Sequence, residues 1–321
     1  MSTLYDAPGP RARRLTVITS ALVAVLLAIS AYLFVYRPLD AQQQFTYELW
    51  GPLLDPTHES FPLVWQRLGA GLRATLLAAL LAITASLIVG TGLAILRIQL
   101  IALRDRRYQG LATPLGYALR VLTVLLNAVT RFFVEVFRGM PVVITIFFVS
   151  VGLPSLGLDL GSALGYLVVG LTLYNSVVIA EILRSGMSGL PRGQGEAAQA
   201  LGLSPFATTR MILLPQAYRI MLPALISQLV VILKDTSLGF IISYEEVLRV
   251  SSQIVQVLEN PIQVYTVVGV GYLLINYTLS RIAGYTERRI AQGRTARGLT
   301  GPDGGAGAKV TLPGSVGPAD I

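Results

Sequence analysis

The sequence contains no cysteine, one histidine and only two lysines among its 321 residues. Without cysteine the chain has no disulfide, thiolate metal site or thiol nucleophile, and a single histidine excludes a zinc site built on two histidines. Neither lysine, Lys234 or Lys309, follows a Gly-x-x-x-x-Gly run, so a Walker A loop for nucleotide phosphates is absent. We therefore expect no catalytic residue, metal or other cofactor in this chain.

Charged residues of either sign are also scarce. Only 13% of the residues are charged, whereas 53% are hydrophobic. Soluble domains carry about 25% charged residues, which help to cover their surface with polar groups. The composition therefore indicates an integral membrane protein.

Apolar runs long enough to cross a membrane recur along the chain. A spanning helix needs about 20 apolar residues to cross roughly 30 Å of hydrocarbon. The run 139–158 contains two prolines and extends backwards through 121–137, and a sixth apolar region, 220–244, is interrupted by Lys234 and Asp235. The sequence predicts an all-α integral membrane fold with six transmembrane helices. The five charge-free runs are 17–36, 74–96, 139–158, 160–180 and 260–280.

The basic residues are distributed unequally between alternate connecting segments. The chain has 25 basic and 17 acidic residues, which gives a net charge of +8. Eighteen basic residues fall on the side of both termini and four on the other side. Because cytoplasmic loops of membrane proteins are rich in Lys and Arg, we expect both termini in the cytoplasm. Topology and contact with membrane lipid then explain the positive excess, and nucleic acid is not expected as a partner.

The predicted spans divide the chain into five parts. Residues 1–16 form a cytoplasmic tail, and 17–36 form an additional helix, interpreted as an uncleaved anchor because its apolar core is longer than that of a signal peptide. Residues 37–70 form an extracytoplasmic segment and 71–285 the main transmembrane domain. Residues 286–321 end in a stretch rich in glycine, alanine and proline, which predicts a disordered cytoplasmic tail.

The fourth loop carries the signals of two short cytoplasmic helices. A helix-favouring run, 196–201, stops at Gly202, since glycine is the usual residue after a helix end. Ser204 followed by proline suits the start of a second helix, which we expect over 206–213, ending before Pro215. The apolar side chains of this loop exceed the need of a solvated connector, so they predict a docking surface.

The same loop resembles the EAA motif of bacterial ABC importer permeases, which reads E-A-A-x3-G-x9-I-x-L-P. Every fixed position of that motif is matched here at its spacing. Stretches that flank the loop are similar to the polar amino-acid branch of the family, the histidine, glutamine, arginine and glutamate permeases. The motif residues are Glu196, Ala197, Ala198, Gly202, Ile212, Leu214 and Pro215, and the flanking stretches are 135–141, 180–184, 193–194 and 233–238.

This resemblance implies a transporter subunit with a five-helix type I domain over 71–285. The additional N-terminal helix is most similar to that of actinobacterial glutamate-uptake permeases. The implied function is import of polar amino acids such as glutamate through the bacterial cytoplasmic membrane, without ATP hydrolysis by this chain. The implied partners are two copies of an ATP-binding subunit that holds ATP and magnesium, a second permease that is homologous or identical, and an extracytoplasmic amino-acid-binding protein.

The resemblance also implies roles for the motif residues, which would form the helix that docks on the ATP-binding subunit. Glu196 would be a hydrogen-bond or salt-bridge partner on that surface. Gly202 would allow the turn between the helices, because glycine adopts positive φ without strain. The alternative for Glu196 is that it merely caps its own helix, since helix N-termini favour anions.

A few charges lie within or beside the predicted spans, where each costs about 2.5–3.5 kcal/mol at the membrane centre. Two interpretations remain open: these residues contact the substrate in its pathway, or they pair structurally with one another. The stretch 138–141 contains Gly and Pro and predicts a helix break or kink. The candidate pathway residues are Glu135, Arg138, Lys234, Asp235 and Thr236, with the adjacent Lys234 and Asp235 expected in the middle of a span.

Two other classes of function compete with the importer subunit. An ion-driven secondary amino-acid transporter would have ten or more spans or visible internal repeats, and it has no use for the paired helices of the fourth loop. A membrane scaffold without transport activity would account for the spans but not for the charges inside them.

Overall fold

The computed structural model describes residues 9–104 and 113–298, and within these ranges the chain is helical, with no strand. Two π turns, Tyr32–Tyr36 and Thr209–Leu213, and one 3-10 helix, Thr236–Ile242, join consecutive α-helices. The α-helices in chain order are α1 Pro10–Ala31, α2 Arg37–Ala41, α3 Tyr47–Leu54, α4 Phe61–Arg104, α5 Thr113–Gly139, α6 Val142–Ser155, α7 Ala163–Ser188, α8 Arg192–Ala200, α9 Pro205–Thr208, α10 Leu214–Asp235, α11 Val247–Leu258 and α12 Pro261–Gly298.

Five helical stretches of the described chain are long and apolar enough to cross a membrane. A sixth span results when α5 and α6, which meet at a bend of 112°, are counted as one broken span. This count confirms the all-α fold and the six predicted spans. The five straight candidates are Arg11–Ala41, Phe61–Leu103, Ala163–Ser188, Pro205–Ile242 and Pro261–Ile282.

Several boundaries differ from those expected from composition. Helix α4 has 44 residues and a length of about 66 Å, so it begins inside the predicted extracytoplasmic segment and extends well beyond the hydrocarbon. Helix α12 runs to Gly298, so the disorder predicted for 286–321 is wrong over 286–298. No proline lies between Pro261 and Gly298 to interrupt the helix. The remainder of that tail, and residues 1–8 of the 1–16 tail, lie outside the described residues.

The chain divides into two compact units, each assembled from several parts of the sequence. Unit 1 comprises residues up to Leu87, Glu135–Tyr174 and Ile232–Leu274. Unit 2 comprises Ile88–Val134, Asn175–Val231 and residues from Ile275 onward.

The core of unit 1 joins α3, the start of α4, α11 and α12. Two buried amides at the start of α12 hold the segment before α4: Asn260, which precedes the helix, donates from Nδ2 to the Leu49 carbonyl oxygen at 2.9 Å, and Gln263 Nε2 donates to the Gln44 carbonyl oxygen at 2.6 Å. The segment 37–60 is therefore held in unit 1 by these hydrogen bonds. The buried core residues are Leu53, Val64, Leu68, Val247, Val250, Ile254, Val264 and Val268.

Unit 2 contains a close approach of α4 and α7. A Cβ added at Gly90 would lie 2.8 Å from the Ser176 carbonyl oxygen and 2.9 Å from Ile179 Cβ. Such distances leave no room for a side chain, so glycine is what lets these two helices pack at this separation. Helix α1 differs, because all of its described side chains are exposed.

Candidate functional site

The motif residues lie on a helix–turn–helix stretch, 192–215, which we call the coupling segment. Helix α8 ends at Ala200 and the chain reverses at Gly202, whose φ is +76°. The Gly202 N–H donates to the Gln199 carbonyl oxygen at 2.9 Å, and the Leu203 N–H donates to the Ala198 carbonyl oxygen at 3.0 Å. These two bonds form a Schellman motif, and they confirm the predicted glycine turn. A Cβ at Gly202 would meet no atom within 4 Å, so backbone conformation alone requires glycine.

The second helix of the coupling segment begins as expected and ends differently. Ser204 accepts a hydrogen bond from the Ala207 N–H at 3.2 Å, and Pro205 is the first helical residue, so the predicted N-cap is confirmed. The predicted end before Pro215 is wrong. Helix α9 continues through the π turn Thr209–Leu213 directly into α10, with the Leu214 N–H bonded to the Thr209 carbonyl oxygen.

The π turn explains why Pro215 does not stop the helix. A proline ring clashes with the carbonyl four residues earlier and leaves that carbonyl without its N–H partner. A π turn holds one more residue than an α turn, which shifts the preceding carbonyls relative to the ring. The adjacent Gln216 also donates from Nε2 to the Ile212 carbonyl oxygen at 2.9 Å, which satisfies one backbone group that the altered register leaves open.

The coupling segment exposes apolar side chains at its turn and on its second helix. Leu201 is 81% exposed and Met211 is 68% exposed, and Phe206 is half exposed. These three residues form what we call the docking surface. Of the motif residues, Glu196, Ala197, Gly202 and Pro215 are exposed, Ile212 and Leu214 are half-buried, and Ala198 is buried. An exposed apolar cluster of this kind is typical of a protein-binding site.

Glu196 is an exposed carboxylate that does not cap its helix. Helix α8 begins at Arg192, its first turn has no acidic residue, and no side chain caps its N-terminus. Glu196 therefore lies beyond the first turn, where the helix dipole favours an anion little. This position argues against the alternative that Glu196 caps its own helix, and it leaves the exposed carboxylate available to a partner.

Two glutamines brace the coupling segment. Gln194 Nε2 on α8 donates to Gln216 Oε1 on α10 at 3.0 Å. Gln99 Nε2 on α4 donates to Thr209 Oγ1 at 2.9 Å. The segment is therefore tied to two membrane helices of unit 2 by side-chain hydrogen bonds, which the sequence alone did not indicate.

A charged cluster lies near the same end of α4. Arg97 forms an ion pair with Glu181 of α7, and Arg184 Nη2 lies 2.9 Å from Glu181 Oε2. All three side chains are partly buried. In the sequence, Arg97 is one of the eighteen basic residues on the side of the termini, and Glu181 and Arg184 belong to the flanking stretch 180–184. The i, i+3 spacing signalled the second pair, whereas no local pattern signals the first.

The broken span α5–α6 carries two of the candidate pathway residues. Helix α5 ends at Gly139 and α6 begins at Val142, with Pro141 at its N-cap. The predicted break over 138–141 is confirmed by the 112° bend. Glu135 and Arg138, near the end of α5, are both exposed.

The other candidate pathway residues lie where α10 ends. Lys234 is exposed and Asp235 is half-buried, and both stand just before the helix tightens to the 3-10 form at Thr236. Thr236 is fully buried, and its Oγ1 donates to the Leu233 carbonyl oxygen at 2.6 Å. Lys234 and Asp235 thus occupy a helix end and not the middle of an unbroken helix.

A polar pair that the sequence pattern did not predict joins two membrane helices. Gln228 Nε2 of α10 donates to Asn175 Oδ1 of α7 at 2.7 Å, and Asn175 is fully buried. Both residues lie inside predicted apolar regions, 160–180 and 220–244, which was the available signal, since polar groups in membranes are costly unless paired.

Comparison with known proteins identifies the family. The model of the family described as "Binding-protein-dependent transport system inner membrane component" matches residues 112–292. The glutamate transport system permease protein GluD of Corynebacterium glutamicum is 42% identical over 195 residues, which cover 59% of this chain and 71% of that protein. The glutamine transport system permease protein GlnP of Escherichia coli is 36% identical over 165 residues, which cover 51% of this chain and 75% of that protein.

A solved structure agrees with the fold. The crystal structure of an amino acid ABC transporter with histidines aligns with a TM-score of 0.56 at 24% identity, covering 72% of this chain and 97% of that chain. The family match contains the whole coupling segment and the broken span, together with Glu181 and Arg184 of the charged cluster. The chain therefore belongs to the binding-protein-dependent transport system inner membrane components, the permease subunits of ABC importers.

Proposed function

We propose that this permease imports polar amino acids, with glutamate as the first candidate, across the bacterial cytoplasmic membrane. The observation that carries the proposal is the coupling segment, whose motif residues build a rigid turn with an exposed apolar docking surface. The glutamate and glutamine permeases among its relatives support the substrate class. The bias of basic residues supports cytoplasmic termini.

The ATP-binding subunit is the partner that we assign to the docking surface. Leu201, Phe206 and Met211 supply apolar contacts, and the exposed Glu196 supplies a charge for a basic group on that subunit. ATP and magnesium belong to this partner, because no Walker A loop occurs in the present sequence. The permease contributes movement and a pathway, with no catalytic residue of its own.

Transport requires that closure of the ATP-binding subunits moves the membrane helices. Two such subunits would act on two permease chains, so the second chain is either a copy of this one or a homologue. Glu135, Arg138, Lys234, Asp235 and Thr236 remain our candidates for the pathway. They lie at a helix break and at a helix end, where backbone groups and side chains can meet a polar substrate.

The extracytoplasmic amino-acid-binding protein needs a surface outside the cytoplasm, and our candidate is a groove within unit 1. A groove of about 240 Å³ lies between the start of α4 and α11, lined by Leu63, Arg67, Val250, Ile254 and Val257. Leu63 precedes the charge-free run at Ala74 by about 16 Å of helix, which supports assigning this groove to the region outside the hydrocarbon. Val257 is nevertheless 80% exposed, which favours a protein partner over lipid.

Uptake competition tests the substrate class. We expect membrane vesicles that contain the full importer to accumulate labelled glutamate, and excess unlabelled glutamate to compete more strongly than glutamine, arginine or histidine. Equal insensitivity to all four amino acids would contradict the proposed substrate class. An ion-driven transporter would instead lose uptake on collapse of the ion gradients while ATP remains present.

A further inference from the structure

Gln99, near the end of α4, is hydrogen-bonded to the coupling segment. Its Nε2 donates to Thr209 Oγ1 at 2.9 Å and lies 3.4 Å from the Pro205 carbonyl oxygen. Thr209 is only 2% exposed, and its own hydroxyl donates to the Pro205 carbonyl oxygen at 2.9 Å. The Thr209 hydroxyl thus accepts a hydrogen bond from Gln99 of α4 and donates one to the Pro205 carbonyl oxygen of α9. Because one hydroxyl takes part in both bonds, the geometry of each is fixed.

The same part of α4 is held to the membrane helices of unit 2. Thr91 is hydrogen-bonded to Tyr218 of α10, and Arg97 is paired with Glu181 of α7. Gly90 packs against α7 with no space for a side chain. A displacement of α4 at Gln99 therefore reaches two neighbouring helices through contacts that are already formed.

The backbone route from the coupling segment into α10 is less direct. Thr209 is the first residue of the π turn, and π turns have poorer hydrogen-bond geometry than regular α-helix. Movement of α9 along the backbone must pass through this turn before it reaches α10. Movement through Gln99 bypasses the turn, because Thr209 and Pro205 lie at or before its beginning.

We propose that Gln99 is a positioning residue that couples movement of the coupling segment to α4, with Thr209 as its partner. The proposal rests on the proposed function, since it presumes that an ATP-binding subunit moves the coupling segment. Gln99 contacts neither ATP nor substrate. Its loss should leave ATP hydrolysis in place and lower the amount of amino acid transported for each ATP hydrolysed.

The test compares two neighbouring threonines in the complete importer in proteoliposomes. Thr209→Val removes the acceptor of the Gln99 bond. Thr208→Val is the matched control, because Thr208 is also buried and its Oγ1 donates to the Ser204 carbonyl oxygen within its own helix, at 3.0 Å. Thr208 is not part of the docking surface. Transport and ATP hydrolysis are measured together on each preparation.

We expect Gln99→Leu and Thr209→Val each to lower the transport-to-hydrolysis ratio by about five-fold, the factor that corresponds to one lost hydrogen bond. The double variant should fall no further, because both changes remove the same contact. Thr209→Ser should restore the ratio, and Thr208→Val should retain it. Equal losses in Thr208→Val and Thr209→Val, or additive losses in the double variant, would overturn the proposal.

A second measurement covers variants that assemble poorly. Because this chain has no cysteine, Gln99→Cys with Thr209→Cys can be joined by a short bis-methanethiosulfonate crosslinker without background labelling of the permease, and a reductant cleaves the disulfides that form. The crosslink should raise the lowered ratio of the double-cysteine variant, and reductive release should lower it again. A crosslink that leaves the ratio low would contradict the proposal. Loss of all uptake in the unaltered importer would instead contradict the proposed function itself.

Discussion

The Leu203 N–H donates to the Ala198 carbonyl oxygen at 3.0 Å, and this bond closes the turn that presents the docking surface. Ala198 is buried, whereas Leu201, between the two residues, is exposed. The hydrogen bond therefore fixes an apolar side chain outward at the point where the backbone reverses. The spacing of the EAA motif residues therefore determines where the docking surface lies.

Substitution of Gly202 should disrupt that turn. A β-branched residue at φ near +76° is strained by roughly 1–2 kcal/mol, so Gly202→Val should lose copurification of the ATP-binding subunit and uptake while still inserting into the membrane. Gly202→Asn should be milder, because asparagine tolerates left-handed φ. Gly195→Ala is the control, since an added Cβ there meets no atom within 4 Å and its φ is not positive. Equal copurification across all three variants would refute the role of the turn.

The docking surface predicts a position-specific effect of charge. Leu201→Asp should weaken ATP-binding subunit copurification at least ten-fold, because the interface would bury an unpaired carboxylate at a cost of several kcal/mol. Leu54→Asp alters an apolar side chain that is also exposed, 63% against 81%, and that lies outside both the coupling segment and the candidate spans. It should copurify normally. Similar losses in both variants would indicate general destabilisation and not an interface.

The groove of unit 1 leads to a similar prediction for the proposed contact with the amino-acid-binding protein. Val257→Asp should reduce stimulation of ATP hydrolysis by the amino-acid-binding protein, with basal hydrolysis unchanged, because the charge lies where an apolar contact is expected. Leu54→Asp is the control, since Leu54 is 63% exposed on α3 and does not line the groove. Stimulation that survives in the Val257 variant would place the binding protein elsewhere.

The segment before α4 should unfold locally in acid. The Tyr47 hydroxyl, together with the hydroxyl and amide of Thr57, donates to Asp55 and lowers the pKa of that carboxyl to about 2. Since the folded pKa is below the unfolded value, the contribution to stability is present above pH near 4 and is lost as pH falls towards 2. Both tryptophans of the chain, Trp50 and Trp65, donate to backbone carbonyls in this region, so fluorescence reports it.

The Asp55 transition has a direct control. Asp55→Asn removes the titrating group, so the fluorescence change between pH 4 and pH 2 should diminish in that variant. An unaltered acid transition in Asp55→Asn would assign the effect to other carboxyls. This measurement is independent of transport and requires only the folded permease in detergent.

Features that depend on neighbouring residues could be predicted from the sequence, and those that depend on distant pairs could not. The apolar runs, the glycine turn at Gly202, the Ser204 cap and the break near Pro141 each follow from local backbone chemistry. The continuation past Pro215 was missed, because a π turn depends on register as well as composition.

The polar contacts within unit 2 join residues that are distant in the sequence, so they could not be predicted. Gln228 and Asn175 are 53 residues apart in sequence, and Gln99 and Thr209 are 110 apart. Helical periodicity assigns a side chain to a face but does not say which helix packs against that face. The site of coupling was therefore predictable from a motif, whereas the residues that connect it to the membrane helices became visible only in the fold.

ATP-driven uptake by purified components tests the central claim most directly. Proteoliposomes would contain this permease with its ATP-binding subunit, with the amino-acid-binding protein and labelled glutamate supplied on the outer side. With ATP and magnesium enclosed, we predict accumulation of glutamate that stops when a non-hydrolysable ATP analogue replaces ATP and that is indifferent to ionophores. Accumulation without ATP, driven by an imposed ion gradient, would contradict the account.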